Sequence, residues 1–253
     1  EARARLAISN AFRGDSVKAI AFAREAAALA PQERRFAVVD TLLRLDRLAE
    51  ARQELIAMQA DGVALVEAEL RLARLDFQTG DLASAQRRFS ALLQAKDSAP
   101  EAFYFLSMIA ERQDKPQLAL EGYQRLIGAG AGLLVRTRAA RLLIKEGDNA
   151  AALKLLDEVA TAAPEEALQV ELTKASLLDE AGQNAASLAI LDAAAQRFTN
   201  HPSVLYQRAL ALDKAGNYRD GFKLLEQLMK EIWRACTGGP ANSAQPFPTC
   251  SKP

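Results

Sequence analysis

Small residues recur along this chain at nearly constant spacing. Ala19, Ala51, Ala85, Ala119, Ala152, Ser187 and Gly221 are separated by 32, 34, 34, 33, 35 and 34 residues. A period near 34 fits a unit of two antiparallel helices, and such units bury their apolar faces only by stacking on neighbours. With these residues taken as position 20 of a 34-residue unit, position 8 is also small: Ala7, Val39, Ala73, Ser107, Ala140, Ala175 and Ala209. Small residues at both places let two helix backbones approach where they cross. Position 15 holds Gly14, Asp46, Gly80, Asp114, Gly147, Gly182 and Gly216. The first helix must stop and reverse there, and glycine enters the left-handed region without a Cβ penalty. The pattern predicts an all-α, right-handed α-solenoid of about seven helix-turn-helix repeats, starting near residues 1, 32, 66, 100, 133, 168 and 202 and filling 1–235.

The small residue at 8, the turn at 15, Ala at 20, a bulky residue at 24 and Pro at 32 (Pro31, Pro164) together resemble the tetratricopeptide repeat. The best copies are Val66 to Leu92, with Gly80, Ala85 and Phe89, and Pro100 to Leu126, with Phe103, Ala119 and Tyr123. Proline at 32 is expected to block continuation of the second helix. Ser187 and Gly221 at position 20, and Ala23 at position 24 of the first copy, predict looser packing at the two ends. A narrower resemblance rests on the runs Phe103 to Arg112, Ala119 to Ile127, Arg138 to Leu143 and Asn200 to Leu212. These are similar to large tetratricopeptide proteins of Gram-negative bacteria, often outer-membrane lipoproteins facing the periplasm, one of them the adaptor of a carboxyl-terminal processing protease. That resemblance implies a periplasmic, outer-membrane-anchored adaptor whose partner is a protease or its substrate. The cytoplasm is the alternative location. The chain opens at Glu1 inside a repeat and without Met, and is read as an internal fragment whose signal peptide or lipid anchor lies upstream.

Lys plus Arg and Asp plus Glu number 32 each, so no global field favours nucleic acid. No apolar run reaches the ~18 residues of a transmembrane helix. The single histidine, His201, precedes Pro202 in a loop with no Cys beside it, and reads as a turn residue rather than a general base. Gly128-Ala-Gly130-Ala-Gly132 lacks the strand and the Lys-Ser/Thr of a phosphate cradle; it reads as a longer, looser connection between the fourth and fifth repeats. No residue is assigned to catalysis, to a cofactor or to a metal.

The repeat breaks near residue 236, where four prolines and a Gly-Gly pair fill the last eighteen positions, so 236–253 is read as an irregular tail. Both cysteines lie there, Cys236 and Cys250. A disulfide between them closes a loop worth about 3 kcal/mol in an oxidising compartment; two free thiols are the alternative.

The family resemblance places ligand contacts on the first helix of each pair, at positions 2, 5, 9, 12 and 13. Carried over, these positions give a mixed apolar and basic groove: Phe36, Leu70, Arg74, Phe77, Tyr104, Met108, Arg112, Arg141, Ile144 and Lys145. Mixed aromatic and Arg surfaces are where binding energy concentrates. No copy pairs Lys at position 5 with Asn at position 9, as chaperone-tail binders of this family do. The function implied is a non-catalytic scaffold holding a protein or peptide partner, with a regulatory arm of an enzyme encoded elsewhere as the alternative.

Overall fold

The computed structural model describes residues 2–95, 99–159 and 163–237. These residues form fourteen helices and no strand. In chain order they are α1 (Ala2–Phe12), α2 (Ser16–Leu29), α3 (Pro31–Arg44), α4 (Leu48–Ala60), α5 (Leu65–Thr79), α6 (Leu82–Leu92), α7 (Ala99–Arg112) and α8 (Pro116–Gly128), then α9 (Leu133–Lys145), α10 (Asn149–Asp157), α11 (Pro164–Glu180), α12 (Asn184–Arg197), α13 (Pro202–Lys214) and α14 (Tyr218–Thr237). Odd and even helices pair as the period predicts. Two compact units result, Glu1–Leu126 and Ile127–Pro253. The cysteine pairing proposed above lies outside the described residues; α14 itself runs to Thr237.

All seven position-15 residues have positive φ, from Asp114 at 55° to Gly147 at 88°. In six copies the next N–H reaches back five residues to the first helix at 2.8–3.0 Å, as from Arg47 to the Leu42 carbonyl. This bond closes a left-handed helix end and satisfies one of its free carbonyls. In the third copy the Asp76 carbonyl instead accepts from the Thr79 hydroxyl at 3.2 Å. Asp15, Asp81 and Asp148 follow a turn glycine and cap the second helix, accepting from Lys18, Ser84 and Ala151 N–H at 3.2, 3.1 and 2.9 Å. The same two-residue step thus ends one helix and begins the next.

Every residue at positions 8 and 20 is buried. In the first unit one core gathers Val39, Leu42, Ala51, Leu55, Met58 and Leu72, and a second gathers Ala73, Ala85, Phe89 and Ile109. The second unit repeats this with Ala140, Ala152, Leu156 and Leu178, and with Ala175, Leu191 and Val204.

α2 ends at Leu29, before Pro31, as the proline reading expects, and Pro31, Pro164 and Pro202 also open α3, α11 and α13, where the missing N–H leaves no bond unmade. Two expectations need correction. The end repeats are not looser: Ala23 is fully buried, and Ser187 donates to the Ala175 carbonyl at 2.8 Å. A Cβ on Gly221 would stand 3.0 Å from the Ala209 carbonyl, so α13 and α14 approach closely because position 20 has no side chain. Finally, the glycine-rich step at 129–132 spans four residues, no longer than 61–64 or 198–201. Like Gly62 and Asn200 in those two steps, Gly130 is left-handed, at φ 93°.

Candidate interaction surface

The residues proposed for the groove sit on α3, α5, α7 and α9, and the packing divides them by depth. Leu70, Phe77 and Ile144 are each only 6 % exposed and belong to the cores. They offer a partner almost no area. Tyr104, Met108 and Phe36 are half-buried, while Arg74, Arg112, Arg141 and Lys145 are exposed. A helical period fixes which side of a helix a residue faces. How far the neighbouring helix covers it depends on side chains one repeat away.

In the first unit the surface rests on aromatic rings. Phe105 stacks on Phe89 with centroids 4.7 Å apart and meets Phe77 edge-on at 5.2 Å. Tyr104 lies edge-on to Phe105 at 5.7 Å and 6.2 Å from Tyr123. Above this cluster the Arg112 guanidinium lies 3.9 Å from the Phe77 ring centre and donates to the Phe77 carbonyl at 3.1 Å. A cation over a ring face is attracted by its quadrupole, so Arg112 is held in place rather than free in solvent. Beside it, Arg74 forks onto Glu101, with Nη2 to Oε2 at 2.5 Å. That hydrogen bond is the first cause of the raised Arg74 pKa. Arg71 of α5 covers the Phe36 ring of α3 at 4.3 Å and pairs with both Asp40 and Glu67.

In the second unit Arg141 donates to Glu180 at 3.0 Å, and Asp179 pairs with Lys214 at 2.5 Å. The basic character expected from the sequence is therefore neutralised at Arg74 and Arg141. Position 9 of one copy meets an acid on the next first helix, Arg74 with Glu101 and Arg141 with Glu180. A cleft of about 440 Å³ opens between α9, α11 and α13, lined by Thr137, Arg141, Gln169, Ser176, Glu180 and Gln207. His201 begins α13 as its N-cap, Nδ1 accepting from the Ser203 N–H at 3.3 Å.

Sequence reasoning missed a buried ionic network. Asp76 is completely buried, and its two carboxylate oxygens accept from Arg52 and from Arg88, the latter at 2.9 Å. Arg88 also donates to Glu69 at 2.7 Å, and Gln59 donates to the same Glu69 oxygen at 2.5 Å. The signal was available: Asp76 occupies position 11, where five other copies carry Leu42, Ala110, Leu143, Leu178 and Leu212 and the first carries the uncharged Asn10. An acid in an apolar column needs partners. Among the described residues no group of three His, Cys, Asp or Glu side chains stands ready for a metal, and no helix is long and apolar enough to cross a membrane.

Residues 70–133 match the family model of the tetratricopeptide repeat, which spans the two copies whose markers are most complete. No curated protein matches the sequence. Among solved structures, a tetratricopeptide repeat protein from Parabacteroides merdae is similar over 90 % of this chain and 100 % of its own, at 16 % identity and a TM-score of 0.55. Pseudomonas aeruginosa PilF is similar over 80 % of this chain and 93 % of its own, at 15 % identity and a TM-score of 0.53. The Cut9–Hcn1 hetero-tetramer of the APC/C covers 88 % of this chain with 45 % of the matched chain, at 14 % identity and a TM-score of 0.54. Residues 70–133 are thus tetratricopeptide repeats, and because the pairs on either side reproduce the same small-residue crossing and left-handed turn, the chain as a whole has the tetratricopeptide repeat fold.

Proposed function

We propose that this chain is a non-catalytic scaffold that holds a protein or peptide partner on its first-helix surface, with α7 as the principal contact. The tetratricopeptide repeat fold implies a protein-interaction scaffold. The observation that carries the assignment of the surface is the Tyr104, Met108 and Arg112 group, partly exposed above a rigid ring cluster. Aromatic and Arg side chains already fixed by packing lose little entropy on binding, which is what anchor residues need. The neutralised Arg74 contributes shape more than charge. Apolar contact, with a polar rim from the ion pairs, therefore dominates the recognition. The sequence resemblance to periplasmic adaptors supports a partner that is a protease or its substrate, and an outer-membrane-anchored, periplasmic setting. Affinity capture with the wild-type chain identifies the partner. Tyr104→Ala and Arg112→Ala then weaken binding by about 1–4 kcal/mol each if they are anchors. Capture that survives both changes but is lost on altering the second helices would place the contact elsewhere.

A further inference from the structure

We propose that α14 is the contact surface of a symmetric dimer formed with a second copy of this chain. α14 is apolar on two sides. One side, marked by the buried Gly221 and continued by Leu224 and Leu228, packs on α13. The other carries Tyr218, Phe222, Leu225, Met229 and Ile232 at alternating spacings of four and three. Of these, Tyr218 is 67 %, Phe222 63 %, Met229 49 % and Ile232 51 % exposed. A helix with two apolar sides is built to be covered on both. In the same unit, Leu156 and Leu191 occupy the position of Leu225 in earlier copies and are buried beneath the next helix pair. Leu225 is left partly exposed. The row is therefore the stacking face of the unit, standing open, with Tyr206 and Leu210 of α13 exposed as well.

A second copy fits this face better than the residues that follow it. Positions 238–253 contain one large apolar side chain, Phe247, against a row of five. A copy of α14 brings five more. The four-three spacing averages 3.5 residues, the repeat of a coiled-coil seam. Laid antiparallel about Leu225, the row sets Tyr218 level with Ile232 and Phe222 within one residue of Met229, each aromatic ring beside an aliphatic side chain. The flanking charges agree with that pairing. Arg219 comes level with Glu231, Asp220 with Lys230 and Lys223 with the neutral Gln227, so no like charges coincide. Half-exposed side chains of roughly 200 Å² each, five to a copy, bury roughly 1,000 Å² in all, the threshold of a specific interface. The contact uses the same patch twice and so closes at two chains.

The test is sedimentation equilibrium of the full chain under reducing conditions over a dilution series. Two chains per particle, dissociating on dilution, are expected. Phe222→Glu with Met229→Glu should yield a single chain of unchanged helicity. A second measurement places the two-fold axis: in a Cys236→Ser, Cys250→Ser background, Leu225→Cys should cross-link two chains on mild oxidation, whereas Ser9→Cys on α1 should not. A chain that stays single at all concentrations overturns the proposal and leaves residues 238–253 or another protein as the cover. A dimer indifferent to the Glu pair overturns the choice of α14. Neither result bears on the α7 surface, which lies in the other unit.

Discussion

The carboxylate of Asp76 offers the sharpest measurement of what holds the first unit together. It is fully buried in α5 between Arg52 of α4 and Arg88 of α6, and so joins three consecutive helices. Removing one partner of a buried ion pair typically costs about 3–5 kcal/mol, because the opposite charge is stranded. Here the stranded groups are less confined. The Arg52 and Arg88 side chains are 32 % and 27 % exposed, and Arg88 keeps Glu69 at 2.7 Å. Asp76→Ala should therefore cost about 2–3 kcal/mol, below the full penalty because both guanidiniums can turn toward water. Asp76→Leu, which restores the apolar column of Leu42 and Leu143, should cost nearly as much while the arginines remain. Replacing all three, as Arg52→Met, Asp76→Leu and Arg88→Met, should return stability to within about 1 kcal/mol of wild type, since well-packed apolar substitutes often match a buried ion pair. Urea denaturation followed by circular dichroism reads each variant. The single tryptophan, Trp233, lies in the second unit and supplies an internal control by fluorescence. A loss below about 0.5 kcal/mol for Asp76→Ala would mean the network is ornamental and the burial argument wrong.

Three further outcomes follow from the repeat geometry. Ala85→Leu, at a fully buried crossing, should lower stability by about 1–3 kcal/mol through overpacking, read as a shift in the urea midpoint. Asp114 sits at φ 55°, so Asp114→Ala should cost about 1 kcal/mol by the left-handed penalty while Asp114→Gly should not; equal losses in thermal melts would refute this account of the turn. The capping Asp15 and Asp81 have pKa values held below the ordinary carboxylate range, Asp15 first by its side-chain bond with Lys18 and Asp81 first by the Ser84 backbone N–H. Their contribution is complete above the unfolded carboxylate value of about 4 and is lost as pH falls through the lower folded values, so helicity should decline on acidification in that window, and less in the Asp15→Asn, Asp81→Asn variant.

The crossings and turns were legible because each is a local demand made seven times. A small residue where backbones meet and a left-handed residue where a helix reverses leave the same mark in every copy, and all of positions 8, 15 and 20 fall where the period put them. The surface was less legible. Leu70, Phe77 and Ile144 share the helix side of Tyr104 and Arg112, yet the following repeat covers them, and that cover is set by partners about 34 residues away. The pairing of Arg74 with Glu101 was hidden for the same reason, since nothing within one repeat announces it. Asp76 was visible only by reading down a column of copies instead of along the chain.

The change of position 20 toward the end of the chain, from Ala152 to Ser187 and then to Gly221, makes the repeats non-interchangeable. Ser187 spends its hydroxyl on the Ala175 carbonyl, and Gly221 lets the backbone of α14 settle where any side chain would press on Ala209. A second helix transplanted from the first six copies would carry a Cβ into that contact and stand off from α13. Swapping, duplicating or averaging these units into a consensus should thus succeed among the first five pairs and fail at the seventh, whose two helices are matched to each other alone.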